Sequence, residues 1–256
     1  MAILETKNLS IGYQAKKLTI LAKDLQIKVF EPQFITLIGK NGIGKSTLLH
    51  TLSGIQNALT GEIYIQDKNI NNYDNLALSK ELSIVLTERI PPSNLSVYEV
   101  IALSRQIYTN WIGKLQENDI QQINKALSLC EIPHLSNKKI DELSDGQYQK
   151  VMLARAIAQD TPIIILDEPT AHLDIVNRIE IFKLLQKLAL NENKLIISSS
   201  HEIELCLHYA TNIWLLTKDT FIAKPKDEIL KSNLLNTVFN SDLIEFDNDR
   251  KQFIYK

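Results

Sequence analysis

Four short stretches carry residue types that can do chemistry together. Gly39-Lys40-Asn41-Gly42-Ile43-Gly44-Lys45-Ser46-Thr47 fits the phosphate-cradling spacing G-x-x-x-x-G-K-S. Gly39, Gly42 and Gly44 let backbone N–H groups face phosphates closely, with Asn41 and Thr47 completing the cradle. Lys45 supplies a point charge for β- and γ-phosphates, and the Ser46 hydroxyl is a Mg²⁺ ligand. The run Ile163-Ile164-Ile165-Leu166-Asp167-Glu168-Pro169 ends a buried strand in two carboxylates. Asp167 suits the Mg²⁺ shell, and Glu168 suits a base that takes a proton from attacking water. Ser198-Ser199-Ser200-His201-Glu202 puts an imidazole at another strand end, where it can orient water or hydrogen-bond a γ-phosphate. His201 and His208 are too far apart for a zinc-binding helix. The fourth stretch, Leu143-Ser144-Asp145-Gly146-Gln147-Tyr148-Gln149-Lys150, reads as a helix start. Ser144 is the N-cap, Gln147 closes a capping box, and the free N–H groups suit an anion without help from a lysine. Tyr13, in Ile11-Gly12-Tyr13, either stacks on a base or fills an edge turn, and spacing leaves both open.

These residues need strands and helices to bring them together. Leu25, Ile27 and Val29 alternate with polar residues as on one half-buried strand. Phe34–Ile38 is a buried strand running into glycine, and Lys45–Leu52 is helical. Glu62–Ile70 reads as a hairpin turning near Asp67-Lys68-Asn69, and Leu82–Leu86 as another strand. After Arg89 the pattern changes. Pro91-Pro92-Ser93-Asn94 is a loop, and Ser96 with Glu99 forms a capping box that opens a helix through about Ile107. Ile120, Ile123, Leu127 and Cys130 mark one face of a second helix, and the helix opened by Ser144 runs to about Ala158. Strands at Pro162–Leu166, Lys194–Ser198 and Ile213–Leu216 alternate with helices, one of them carrying Ile175, Ile179 and Phe182. Strand alternating with helix predicts an α/β fold with a mostly parallel sheet. The expected organisation is one domain, 1–256. Its core is 1–87 with 161–216, the helical insert is 88–160, and 217–256 is a tail with weak signals.

Taken in order over roughly residues 1–216, Tyr13, GKNGIGKST, LSDGQ, IIILDEP, His172-Leu173-Asp174 and SSSHE resemble the ATP-binding subunit of ABC transporters. The resemblance implies a P-loop NTPase fold with an N-terminal antiparallel β region and a helical subdomain. It implies ATP and Mg²⁺ as ligands and a homodimer closed across ATP. In that dimer the LSGGQ-like segment of each chain faces the ATP of the other, so Ser144, Gly146, Gln147 and Asp174 join the nucleotide-binding set. Multi-spanning permease subunits are the implied partners, a substrate-binding protein is an indirect one, and the implied place is the cytoplasmic face of the membrane. The texture of VLTER, SVYEVIALSRQIYTNW and ELSDGQYQKVMLARAIAQDTPIIILDEPTAHLD resembles importers of ferric siderophores, with haem and cobalamin importers close by. Two residues depart from the pattern. Asp145 stands where glycine is commonest, so its carboxylate should point away from nucleotide. Glu88 stands where a glutamine usually contacts Mg²⁺ and the membrane partner. A soluble ABC-type ATPase of assembly or regulation is the alternative class. A binding switch without turnover is disfavoured by the intact Glu168.

Composition agrees with a soluble globular chain: 256 residues, 45% hydrophobic, 23% charged, net charge −2. That balance gives no reason to expect nucleic-acid binding. Cys130 and Cys206 lie far apart in apolar helical patterns and read as buried free thiols. No apolar run approaches the roughly 20 residues of a membrane span, and the start MAILETKNLS has no leader pattern. The expectation is a cytosolic protein that reaches a membrane only by docking on something else.

Overall fold

The computed structural model describes residues 1–14, 18–111, 113–239, 243–247 and 250–256. Leu4–Gln14 (β1) is a long strand that the sequence reading passed over. It pairs antiparallel with Leu18–Leu25 (β2), Lys28–Val29 (β3) and, after Phe34–Ile38 (β4) and Lys45–Leu52 (α1), with Thr60–Ile65 (β5). Lys68–Asn69 (β6) closes that sheet. The alternation over Leu25, Ile27 and Val29 is real, since all three are buried. The strand itself is interrupted between β2 and β3, just after Asp24, whose φ is +55°. The hairpin turns at Gln66-Asp67, both at positive φ, one residue earlier than expected.

Asn75–Glu81 (α2) leads into Leu82–Val85 (β7). Val97–Ala102 (α3) then opens with the expected Ser96–Glu99 capping box and tightens into 3-10 turns through Tyr108. Glu117–Leu129 (α4) and Asp145–Ala158 (α5) complete the insert. Val97, Ile101, Ile123 and Val151 are fully buried where these helices meet, and Leu95 and Tyr98 pack half-buried against them. Ile120 does not share that face: it is exposed, and Asp119 takes the inward position instead. Asp119 accepts from Arg105 Nε at 3.0 Å. Arg105 Nη1 also donates to the Ala158 carbonyl at 2.8 Å, at the end of α5.

Ile163–Leu166 (β8), Ile175–Asn191 (α6), Leu195–Ser199 (β9), Ile203–Tyr209 (α7) and Asn212–Leu216 (β10) return the chain to the core. Every residue of β4, β8 and β9 is buried, as in a parallel sheet covered on both faces. The strand order is β10-β4-β9-β8-β7, parallel throughout. Phe221–Pro225 (β11) lies antiparallel at one edge, so the tail contributes a strand the sequence did not announce. Lys226–Lys231 (α8), Leu234–Phe239 (α9) and the hairpin Ile244–Asp247 (β12) with Gln252–Tyr255 (β13) follow. Side-chain alternation gives the sheet two apolar faces. Ile164, Leu166 and Ile196 pack toward Phe182 and Leu185 of α6. Ile165 and Ile197 pack toward Leu48, Leu49 and Leu52 of α1. Among the described residues no helix is long and apolar enough to cross a membrane.

Candidate functional site

The parallel register brings three strand ends level. Leu166 pairs with Ser198, and Ser198 with Thr36. One residue further on, Asp167 lies beside Ser199, with the Gly39 turn on the far side of Ser199. By strand alternation Asp167 and Ser199 project to the face that α1 covers, where Ser46 sits. Asp167, Ser199 and Ser46 therefore meet at the carboxyl edge of the sheet, the place where α/β sheets take ligands.

The loop before α1 is built for close backbone approach. Gly44, the N-cap of α1, has φ of +111° and lies against the Leu21 side chain, 3.1 Å from where a Cβ would stand. Gly42 is also at positive φ, and no atom lies within 4 Å of its would-be Cβ, so the loop mouth is open. Gly39 is packed against the Leu216 carbonyl, and Asn41 is exposed at the rim. Lys45 is buried, and its Nζ donates to the Gly39 carbonyl at 3.1 Å. Burial pushes the Lys45 ammonium below its usual pKa, and the charges of Glu168 and Asp167 partly offset this. A buried cation whose hydrogen bonds, among the described residues, go to backbone carbonyls suits an incoming polyphosphate. Thr47 lies on the first turn of the same helix, and its carbonyl accepts from Thr51 Oγ1.

Asp167 is 4% exposed and surrounded by donors. Its Oδ1 accepts from Ser46 Oγ at 3.0 Å and from Ser199 Oγ at 2.7 Å. Thr87 Oγ1 donates to its carbonyl at 2.9 Å. His50 Nε2 stands 3.6 Å from Asp167 Oδ2 and is a buried nitrogen without a hydrogen bond. A hydroxyl keeps lone pairs free while donating, so Ser46 and Asp167 together offer the hard oxygen ligands Mg²⁺ prefers. Glu168 follows at φ +49°, a strained value for a side-chain-bearing residue. Its Oε1 lies 2.5 Å from His201 Nε2. The structure thus gives His201 to Glu168 as a partner, alongside any role toward phosphate or water.

The Ser144 segment forms the expected capping box. Gln147 N donates to Ser144 Oγ at 3.4 Å, and Ser144 N to Gln147 Oε1 at 3.3 Å. Ser144 and Asp145 are exposed, so this helix start is open to a second molecule. The Cβ position of Gly146 lies 2.9 Å from the end of the Asn177 side chain, so a larger residue would have to displace that amide. Asn177 in turn donates from Nδ2 to Asp174 at 2.6 Å, and Asp174 caps α6 through the Asn177 N–H. Those two bonds hold the Asp174 carboxyl below its usual pKa. Asp174 is therefore spent within its own chain as a helix cap, and the Ser144 segment rests on it through Asn177.

Asp145 is ion-paired with Arg89, and the Arg89 guanidinium lies 4.8 Å over the Tyr148 ring. Its charge is answered by its own chain, which is why a carboxylate is tolerated there. Among the described residues Glu88 makes no hydrogen bond or ion pair with Ser46 or Asp167. Thr87 and Arg89 line a cavity of about 290 Å³ with Asp145 and Glu168. Glu88, between them, is exposed and lines a separate cleft of about 490 Å³ with Ser53, Gly54, Ile90 and Arg155. Among the described residues Glu88 has no ion pair with Arg89 either, and Arg89 pairs with Asp145. Among the described residues no three His, Cys, Asp or Glu side chains cluster as a metal site.

Tyr13 lies in β1 and not in an edge turn. It is half exposed beside exposed Leu18 and Ile20 of β2. Gln56, just beyond α1, donates from Nε2 to the Gly12 carbonyl and so ties this hairpin to the P-loop helix. An exposed aromatic with apolar neighbours can take the face of a base. Sequence reasoning missed His50, Arg89, Asn177 and Ser199. For Ser199 the polar residues of an otherwise buried parallel strand were a signal that the strand end is unusual, but not of which group it meets.

Residues 22–171 match the family model described as ABC transporter. An uncharacterized ABC transporter ATP-binding protein of Methanocaldococcus jannaschii is 36% identical, over 93% of this chain and 81% of that protein. The achromobactin transport ATP-binding protein CbrD of Dickeya dadantii is 33% identical, over 94% of this chain and 89% of that protein. Among solved structures, an inward-facing metal-chelate type ABC transporter matches with a TM-score of 0.81 and 28% identity, covering 99% of this chain and 96% of that one. A dimeric ATP-binding cassette in a post-hydrolysis state with ADP and Pi matches with a TM-score of 0.75 and 25% identity, covering 87% of this chain and 98% of that one.

Proposed function

Because the chain belongs to the ABC transporter ATPase family, we propose that it is the ATP-hydrolysing subunit of an importer for ferric siderophores or related iron chelates. The observation that carries the activity is the meeting of Lys45, Ser46, Asp167, Glu168 and His201 at one sheet edge. Lys45 leaves its backbone carbonyls for the β- and γ-phosphates, and the N–H groups of the Gly39–Thr47 loop wrap them. Ser46 and Asp167 would hold Mg²⁺, which when bound would supply positive charge at the phosphates. Glu168 accepts the proton of the attacking water, and His201 holds the Glu168 carboxylate in place. Tyr13 supplies the base-stacking face.

Two copies close head to tail over two nucleotides. The exposed helix start at Ser144, Gly146 and Gln147 is offered to the nucleotide of the partner, where backbone N–H groups and the helix dipole favour the γ-phosphate. Asp174 acts here by holding Asn177 under Gly146. In this reading residues 1–87 with 161–216 are the nucleotide-binding core, 88–160 the helical subdomain and 217–256 the tail. The cleft lined by Gly54, Glu88, Ile90 and Arg155, between core and insert, receives a segment of the permease at the cytoplasmic face of the membrane. Glu88 then meets the membrane partner and not the metal.

The test is reconstitution of the full chain with its permease in vesicles. ATP-dependent entry of a ferric siderophore is the expected result, lost in Glu168→Gln. ATP hydrolysis that no permease stimulates, with no chelate entering, would instead favour a soluble ATPase of assembly or regulation.

A further inference from the structure

Strand β9 ends in Ser198 and Ser199 and is followed by Ser200, and the three hydroxyls do different things. Ser198 Oγ donates to the Ser199 carbonyl at 3.2 Å. Ser200 Oγ accepts from the Glu202 N–H at 3.0 Å. Ser199 Oγ donates to Asp167 Oδ1 at 2.7 Å and accepts from the Glu168 N–H at 2.8 Å. Its side chain is fully buried, at 0% exposure. We propose that Ser199 is a positioning residue for ATP hydrolysis, one hydroxyl that fixes both the Asp167 carboxylate and the backbone from which the Glu168 side chain projects. The proposal rests on the roles given above to Asp167 and Glu168.

Three features point the same way. Glu168 has a positive φ, a conformation that persists only where neighbouring contacts over-determine it. The hydrogen bond from its N–H to Ser199 is such a contact. A hydroxyl has one proton and two lone pairs, so a single Ser199 can serve donor and acceptor at once. Alanine can serve neither. Finally, Asp167 Oδ1 has two donors on different kinds of support. Ser46 belongs to the loop and helix start that must adapt to phosphates. Ser199 is held within the sheet between β4 and β8. It is therefore the anchor that stays when Ser46 turns to its ligands, and it sets where a metal oxygen ligand and a base stand relative to each other.

The experiment compares wild type, Ser199→Ala, Glu168→Gln and the double variant as full-length chains. Ser199→Ala should lower kcat by about 10–100-fold, the usual cost of removing a partner that orients a ligand. The KM for ATP and the ADP affinity without Mg²⁺ should stay within about twofold, because the loop and Lys45 are untouched. The factor by which Mg²⁺ tightens ADP binding should fall, a readout that needs no turnover. In the Glu168→Gln background Ser199→Ala should cost less than it does in wild type, since the share of the loss that runs through Glu168 is already gone and only the share through Asp167 remains. A Ser199→Ala kcat near wild type overturns the proposal. So does an equal loss in both backgrounds, or a parallel loss of Mg²⁺-free ADP affinity, which would mean general damage. Wild-type turnover in Glu168→Gln would overturn the base assignment and the proposal with it. A slow Glu168→Gln beside a normal Ser199→Ala overturns the proposal alone.

Discussion

The 2.5 Å contact of His201 Nε2 with Glu168 Oε1 makes the base a two-residue unit. Glu168→Gln should bind ATP and hydrolyse it about 10²–10³-fold more slowly, measured as steady-state phosphate release. His201→Ala should be slower by about 10-fold or more with little change in ATP affinity, because it removes the group that aims the carboxylate. A second expectation concerns thiols. Burial raises the Cys130 thiol far above its usual range and pushes Cys206 up to about 12, the latter against small opposing contributions from Thr36 and Ser200. Both should resist a thiol-labelling reagent in the folded protein and react in denaturant, counted by mass. At this scale the sequence was readable wherever a motif has fixed spacing, as for Lys45, Ser46, Asp167 and Glu168. His50 and Ser199 were not, because their proximity to Asp167 is set by a helix turn and a sheet register that no local pattern encodes.

Among the elements, α5 links the exposed helix start at Ser144 to the buried ion pair of the helical insert. Its N-cap is Ser144 and its first turn carries Gly146, while Arg105 grips its last turn and its C-cap Gln159 donates to the Leu82 carbonyl at 3.2 Å. Arg105 and Asp119 are 2% and 3% exposed, so removing one alone strands a charge. Arg105→Ala should cost about 3–5 kcal/mol of stability, read as a lower midpoint in urea. Replacing both by apolar residues of similar size should recover most of it. Sequence periodicity found α4 but placed Ile120 inside it, since a pattern cannot foresee a buried ion pair taking the inward position. It missed β1 because the pairing of that strand is broken by register shifts around Asn8, which has φ of +50°. It missed β11 because an edge strand needs only one apolar face, and Phe221 against Trp214, 5.7 Å apart, supplies it.

For the whole molecule the expectation is assembly that depends on nucleotide. Glu168→Gln with ATP should run as a dimer in light scattering and return to monomer with ADP. Ser144→Arg should remain monomeric while still binding one nucleotide, because its bulk enters the interface and not the P-loop. The pair Arg89–Asp145 gives a finer test. Arg89→Ala should weaken ATP-driven dimerisation by exposing a carboxylate near the partner's phosphates, and Asp145→Gly in that background should restore it. Coupling of about 0.5–3 kcal/mol is the scale for residues in contact, and additive effects of the two changes would count against charge compensation.

The strand that feeds the phosphate loop sits in the middle of the main sheet, yet neither of its neighbours is near it in sequence. Phe34 pairs with Ile196, and Ile35 with Asn212. During synthesis β4 emerges early and must wait for both partners. At about 5–20 residues per second, the interval to β10 is on the order of 10–40 s. Until then an apolar strand and its loop have no sheet to hold them, so a nascent chain ending before β9 should neither retain nucleotide nor resist protease. Chains this rich in distant pairings fold slowly, and the vulnerable period of this protein's life falls before its last third has left the ribosome.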